Sequence, residues 1–593
     1  MRKTMNYGYL MIFGSALLLC GSISAQDIKN TTVSVTRAYE GQLVDVHKPD
    51  QKMTVPDSLT SFALDFDYSV FENPYRGAYD FKPYFLDMKP APDAYTGRKL
   101  YLKAGAGWRL RPTLDFVWEP EMKKRLRMSV YASHNSYFGD FRTISPDAGG
   151  YLKKDVGSQN GYDSKTVAGV SGRADFVRSR LTFDVNYTGI HVKDSLAATG
   201  FNAAAADFRL KSTMPSRGGI IYDLAMKYRF ASQGPGDMQT PSWTGMSGTA
   251  AKSLNANDVD LSAMVGREFR PGSQFQVAMD LGLSSYSSLF TSSAATAMLT
   301  PKYMMNRDKW KLSLGVGFGL KINSDEDVFG YRLNSNRGQI IYPDLYASYE
   351  AVPDHMNLYL SVTSGFDRNP YFSQKERNHF YNPYFSGGLA PFSFNTVERI
   401  NAAFGFEGNI RTRFRYDWKF GYSSYDYAPM DLLVTGTDYA SGTPVYSAAV
   451  VYRSFNQFYT ELKAQWESKS FSLDAKLRAC VSDIDRREIL CFAPSALTGN
   501  INAAYNWKRR LFFRCTAEMA SRRSGWIYNS SEITASKAYI PFWMNLGIEA
   551  EYAFTSKLSF WLRGDNLLNM NIQRTPLYNA GGIGATGGIR LVL

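Results

Sequence analysis

Long apolar runs are what this chain lacks. Beyond its N-terminus no stretch approaches the ~18 residues that a membrane-spanning helix needs, and the mean hydropathy is −0.29. A helical membrane protein is excluded. Histidine is scarce: His47, His134, His191, His355 and His379 are scattered, without the spacing of metal ligands. No nucleophile elbow, phosphate loop or CxxC is present, so no enzyme, metal centre or cofactor is expected. The formal charge is +13, yet no Lys/Arg run occurs, and a nucleic-acid partner is not expected.

Cysteine is nearly absent as well, with four in 593 residues. Cys20 lies in an export signal: Arg2 and Lys3 precede the apolar Tyr9–Leu19, and Ser24-Ala25 then meets Gln26. This reads as a signal peptide over residues 1–25, too short in its apolar core to be an anchor. Leu19 before Cys20 is not the small residue that lipidation wants. Cys480, Cys491 and Cys515 remain, and Cys480 and Cys491 flank one loop. They would either pair outside the cytoplasm or stay as thiols, and the spacing leaves both open.

What is abundant is aromatic: 15% of residues, with Tyr 39 and Phe 38, a balance suited to rings at a membrane–water boundary. From Lys99 onward those rings fall into a period of two. Trp310, Leu312, Leu314, Val316, Phe318, Leu320 and Ile322 alternate with Lys311, Ser313, Gly315, Gly317, Gly319 and Lys321. A strand separates these sets onto two faces, whereas a helix would scatter them. Arg413, Arg415, Asp417 and Lys419 alternate with Phe414, Tyr416, Trp418 and Phe420, and Asp474, Lys476 and Arg478 with Leu473, Ala475 and Leu477. A charged second face is incompatible with the dry core of a soluble sandwich. It suits a wet or protein-filled lumen whose other face meets lipid.

Tight turns near Met122–Lys124, Arg178–Arg180, Pro215–Gly218, Arg270–Gly272, Asn306–Asp308, Pro353–His355, Asn409–Arg411, Ser468–Lys469, Lys508–Arg510 and Thr555–Ser556 alternate with longer polar loops. Those loops lie near 138–163, 193–202, 233–254, 324–338, 369–394, 425–456, 484–496, 525–539 and 568–581. Short turns on one side and long loops on the other describe an outer-membrane barrel, with about 22 antiparallel strands by this spacing. The expected fold is all-β: a transmembrane barrel over residues 98–593, after a Pro- and aromatic-punctuated segment over 26–97. The last hairpin, Lys557–Leu593, would close it, because Ile583, Ala585, Gly587, Ile589, Leu591 and Leu593 alternate to the end.

That hairpin resembles the C-terminus of a TonB-dependent receptor, with Asn566-Leu567-Leu568-Asn569, then Tyr578, then a Gly-rich strand. Ser364-Gly365-Phe366-Asp367-Arg368-Asn369-Pro370 resembles the strand end before a long outer loop in that family, and Asn382 through Phe406 its next descending strand. The resemblance covers Lys99 to Leu593, in a style similar to receptors of Bacteroidota. It implies solute uptake across the outer membrane of a Gram-negative bacterium. It also implies contact with outer-membrane lipid, insertion by the barrel-assembly machinery, and TonB or a surface lipoprotein as partner. Residues 26–97 are shorter than the family's plug, and Thr31–Arg37 (TTVSVTR) is a short strand or a TonB-contacting box. The alternatives are a plugless barrel acting as a scaffold in an outer-membrane assembly, or a passive pore.

Two sets of residues are candidates for the site. The loop at 369–394 repeats Asn-Pro-Tyr-Phe, giving Tyr371, Phe372, Phe380, Tyr381, Tyr384 and Phe385, with Tyr427 and Tyr439 in the next long loop. Exposed rings of this kind stack on flat ligands or sugars; alternatively they pack the loop over the barrel mouth. The lumen-facing charges Arg413, Arg415, Asp417, Lys419, Asp474, Lys476 and Arg478 would grip an anionic solute or pair across strands.

Overall fold

In the computed structural model the described residues are 99–593, apart from 109, 121–124, 194–197, 214–218, 235–252, 289–290, 327–331, 354, 382–394, 411–412, 438–443, 530–531 and 580. The segment 26–97 therefore lies outside the described residues. The strands are β1 (Leu100–Gly107), β2 (Thr113–Trp118), β3 (Leu126–Pro146), β4 (Leu152–Asp175), β5 (Ser179–Lys193), β6 (Ala198–Ser212), β7 (Ile220–Gln233) and β8 (Leu254–Arg270). There follow β9 (Ser273–Ser287), β10 (Thr291–Arg307), β11 (Trp310–Glu326), β12 (Arg332–Val352), β13 (Met356–Asp367), β14 (Thr396–Ile410), β15 (Phe414–Thr437) and β16 (Pro444–Glu467). The last are β17 (Phe471–Ser482), β18 (Leu497–Trp507), β19 (Leu511–Ala520), β20 (Arg523–Asn529), β21 (Thr534–Ile540), β22 (Trp543–Ala553), β23 (Leu558–Asp565) and β24 (Gly584–Val592).

All 24 belong to one sheet. β19 pairs directly with β22, so the β20–β21 hairpin stands outside the wall and 22 strands close the ring. Each wall strand runs antiparallel to its neighbours, and β24 closes on β1 with Leu102 opposite Leu591. The final residue takes part: Leu593 donates its N–H to the Leu100 carbonyl at 2.8 Å. Closure removes the free edges that an open sheet would expose.

Burial is inverted relative to a soluble protein. On β11, Leu314, Val316, Phe318, Leu320 and Ile322 are each about half exposed, while Ser313, Lys321 and Asn323 are buried. Apolar side chains on the outside and polar ones within are what a lipid solvent demands. Inside, alternate glycines admit large rings from the next strand: Gly317 lies under the ring of Tyr342, where a Cβ would overlap it.

Eight of the ten expected tight turns fall at the junction between one wall strand and the next, while Met122–Lys124 and Pro215–Gly218 lie outside the described residues. The long loops required correction. Residues 138–163 and 425–456 are mostly strand, because β3–β4 and β15–β16 run on well past the barrel rim. Met430, Leu432, Leu433, Val434 and Val451 are buried on both faces of the second ribbon. A ribbon covered on both sides loses the period-two signal, and so it reads as a loop. The stretch 525–539 is the β20–β21 hairpin.

Candidate functional site

The site is the outer mouth of the barrel, the end that carries the long connections. Its first component is the segment leaving β13. Arg368, buried in its side chain, donates to Ser284 Oγ at 2.9 Å and pairs with Asp260. Asn369 donates to Thr396 Oγ1 at 2.9 Å. Pro370 then starts a short helix, α1 (Tyr371–Arg377), with Lys375 and Arg377 in its last turn, where cations suit the helix dipole.

The spacing of Tyr371, Phe372, Gln374 and Lys375 puts them on one helix face, and all four are buried. Tyr371 and Phe372 meet Phe201 at ring distances of 5.5 and 5.9 Å, and the Tyr371 hydroxyl donates to Gln233. The Tyr371 N–H donates to the Tyr286 hydroxyl at 3.0 Å. Tyr381 joins the same cluster with Ile190, Val192, Leu254 and Val450. Burying one such side chain is worth about 1.5–3 kcal/mol, so these rings fasten the loop to the inner wall. Lys375 is fully buried, and its Nζ donates to Thr199 Oγ1 at 3.1 Å and the Tyr381 carbonyl at 3.2 Å.

The solvent-side residues of the same segment reach elsewhere. Glu376 pairs with Lys165 of β4 at 2.9 Å, and His379 Nδ1 lies 2.7 Å from Asp163 Oδ1, also on β4. Arg377 donates to the Pro429 carbonyl at 3.1 Å and lies 3.7 Å from Asp431 on β15. β4 and β15 are eleven strands apart in either direction round the ring. Neighbouring residues of α1 thus tie to strands from opposite sides of the barrel. Phe380 stacks on Tyr578, from the β23–β24 connection, at 4.3 Å and 10°.

Above this bar the outer ribbons form a roof. β15 pairs in parallel with β20 through Leu433–Ile527 and Val434–Tyr528, although β16 to β19 separate them along the chain. Ile144, Leu152, Leu433, Phe492, Ile527, Ala538, Ile540, Trp543 and Ile572, drawn from six strands and two connections, make one buried cluster there. A second cluster packs Met430, Leu432, Val434 and Phe455 against Ile484 and Cys491. Ile484 opens α2 (Ile484–Arg487), a single helical turn. Asp431 links roof and bar, taking Arg523 of β20 at 3.0 Å as well as Arg377. The cysteines are free: Cys480 faces Ser495, whose carbonyl accepts from it at 3.2 Å, while Cys491 sits in the roof. Burial pushes the Cys491 thiol up to about 12.

Of the aromatics singled out from the sequence, Tyr371, Phe372 and Tyr381 are buried rather than exposed, because they fill the loop's own core. Phe380 is half-buried against Tyr578. Tyr427 sits at a β-bulge with φ 55°, half-buried, with Lys321 Nζ 4.5 Å from its ring centre. Tyr384, Phe385 and Tyr439 lie outside the described residues. Asp163, Glu376, His379, Asp431, Arg523 and Tyr578 carry no sequence signal as a group, because their contacts span up to hundreds of residues.

The lumen charges form a lattice near the tight-turn end. Lys419, Glu461 and Arg478 lie in one cross-strand row, Asp417, Lys463 and Lys476 in the next, and Arg415, Gln465 and Asp474 in a third. Buried Glu461 takes Lys419 at 3.5 Å, Lys463 and Lys476 at 3.6 Å and Arg478 at 3.8 Å. Asp417 takes Lys463 at 3.7 Å and accepts from the Tyr359 hydroxyl at 2.7 Å. Gln465 donates to Asp474 at 3.0 Å. Arg413 lies in the β14–β15 turn and is exposed. Among the described residues no group of His, Cys, Asp and Glu could hold a metal ion.

No protein-family model and no curated relative matches this sequence. Solved structures do match in fold. The FrpB iron transporter from Neisseria meningitidis aligns with a TM-score of 0.59 at 7% identity, covering 84% of this chain and 81% of that one. The siderophore receptor PiuA from Acinetobacter baumannii aligns at 0.56 and 9%, covering 84% and 82%. The ferripyoverdine receptor of the outer membrane of Pseudomonas aeruginosa aligns at 0.57 and 12%, covering 84% and 72%. The chain therefore has the closed 22-stranded barrel fold of outer-membrane receptors and transporters.

Proposed function

We propose that this protein resides in the outer membrane of a Gram-negative bacterium and takes up a solute there, as a barrel of TonB-dependent-receptor type. The observation that carries this reading is the closed mouth. A 22-stranded barrel belongs to the size class of plugged transporters, and here its outer end is roofed by packed ribbons and crossed by α1. A passive pore needs an unobstructed mouth, so the roof weighs against it. The half-buried rings of Phe380, Tyr427 and Tyr578 offer a ligand its first aromatic contacts. The segment 26–97 would occlude the lumen and couple to TonB or a second partner, and the barrel-assembly machinery would insert the chain. Iron chelates are the first solutes to test, because two neighbours in fold are described as an iron transporter and a siderophore receptor.

The test is uptake of labelled ferric chelates by cells that carry or lack the intact chain, with and without TonB. Chain-dependent and TonB-dependent accumulation supports the reading. Equal accumulation with and without the chain, across iron chelates, glycans, peptides and cobalamins, removes it.

A further inference from the structure

We propose that α1 and the residues just after it are the selecting constriction of the entry path, with Glu376, Arg377 and His379 as the specificity-determining residues. This rests on the uptake reading and adds where that path is narrowest. The buried face of α1 is fixed to the β6–β9 wall by Tyr371 and Phe372. The residues left on its other side carry both signs of charge and tie to β4 and β15, eleven strands apart.

The two attachments differ in kind. The wall side is apolar and buried, and such contacts release only if the rings are exposed to water. The β4 side consists of the Lys165–Glu376 ion pair and the His379–Asp163 contact, whose members are 15–34% exposed. Polar ties that water and salt can reach are screened in a way that a buried apolar contact is not. The bar is therefore built to detach at its polar ties to β4 and β15 and to stay anchored at β6–β9. A solute small enough to pass the gap meets a carboxylate, a guanidinium and an imidazole side by side. A larger one must break the β4 ties, and a charged group on the solute can replace either partner. Selection is thus by size and by charge together.

Ser262 reports on this directly, because it shares the inward face of β8 with Asp260 and is exposed, one step below the Arg368 tie. Intact cells carrying Ser262→Cys in the full chain would be treated from outside with a small maleimide and with a bulky polyethylene-glycol maleimide. The parent chain serves as control for the three native thiols. The small reagent should label the thiol introduced by Ser262→Cys in every variant. The bulky one should label slowly, several-fold faster when Glu376→Gln and His379→Gln are added. It should label more slowly again when Asp163→Cys and His379→Cys are bridged by a thiol cross-linker. Heat-modifiable gel mobility confirms that each barrel is folded. Equal bulky-reagent rates in all variants overturn the proposal, as does failure of the small reagent in every variant. Labelling needs neither cargo nor energy, so this failure is distinguishable from failure of the uptake reading.

Discussion

Arg523 and Asp431 meet at 3.0 Å where the β20–β21 hairpin leans on the β15 ribbon, and both side chains are largely buried. Replacing Asp431 with alanine leaves that guanidinium buried without its carboxylate, which costs about 3–5 kcal/mol in such settings. The roof should loosen while the wall stays closed. Protease added to intact cells should then cut within residues 523–528, which are buried or half-buried in the unaltered chain. Asp426→Ala is the contrast: its partner Arg399 is 64% exposed, so the loss should stay within about 1 kcal/mol.

Glu461 serves four cations at once. Glu461→Gln keeps the shape and removes the charge, leaving Lys419, Lys463, Lys476 and Arg478 to repel one another. A loss of about 3 kcal/mol is expected, read as a lower urea midpoint for unfolding from lipid vesicles. An unchanged midpoint would mean that water in the lumen screens the lattice.

Phe318 stands at the middle of β11 on the lipid side. Phe318→Arg should cost about 2–4 kcal/mol, the range for a cation at the bilayer midplane. Asn502→Arg, on the lumen face beside Asp474 and Thr516, should cost less, because water and a carboxylate are at hand. Equal penalties at the two positions would contradict the assignment of faces.

Cys491 should resist iodoacetamide at pH 8 until the chain is unfolded. Burial raises its thiol from an ordinary 9.0 to about 12, outweighing the pull of Arg453 and Arg523. A raised folded-state value stabilises the roof fully below pH 9 and loses that contribution as pH climbs from 9 towards 12. Roof protection against protease should therefore fall over that window in the unaltered chain, and less so in Cys491→Ala. Reducing agent should not alter gel mobility, since Cys480 and Cys491 are separate thiols.

The wall was legible from residue order. Alternation from Trp310 to Ile322 separates lipid from lumen because a strand's side chains point to opposite faces. Each tight turn marks a reversal, and counting reversals gives the strand number. The roof was not legible. Leu432, Leu433 and Val434 are covered from both sides by segments far away in the chain, and a doubly covered ribbon has no period to detect. The loop aromatics illustrate the same limit: Tyr371 and Phe372 advertise a sticky surface, yet whether it meets a ligand or Phe201 depends on where the loop folds.

By itself, then, the sequence determined a lipid-facing barrel of about 22 strands, closed by its final hairpin, because local periodicity and turn chemistry act over a few residues. Only the tertiary structure decided that the mouth is roofed and barred. Glu376 and Lys165, 211 residues apart, carry no mark of each other until the ring of strands brings them face to face.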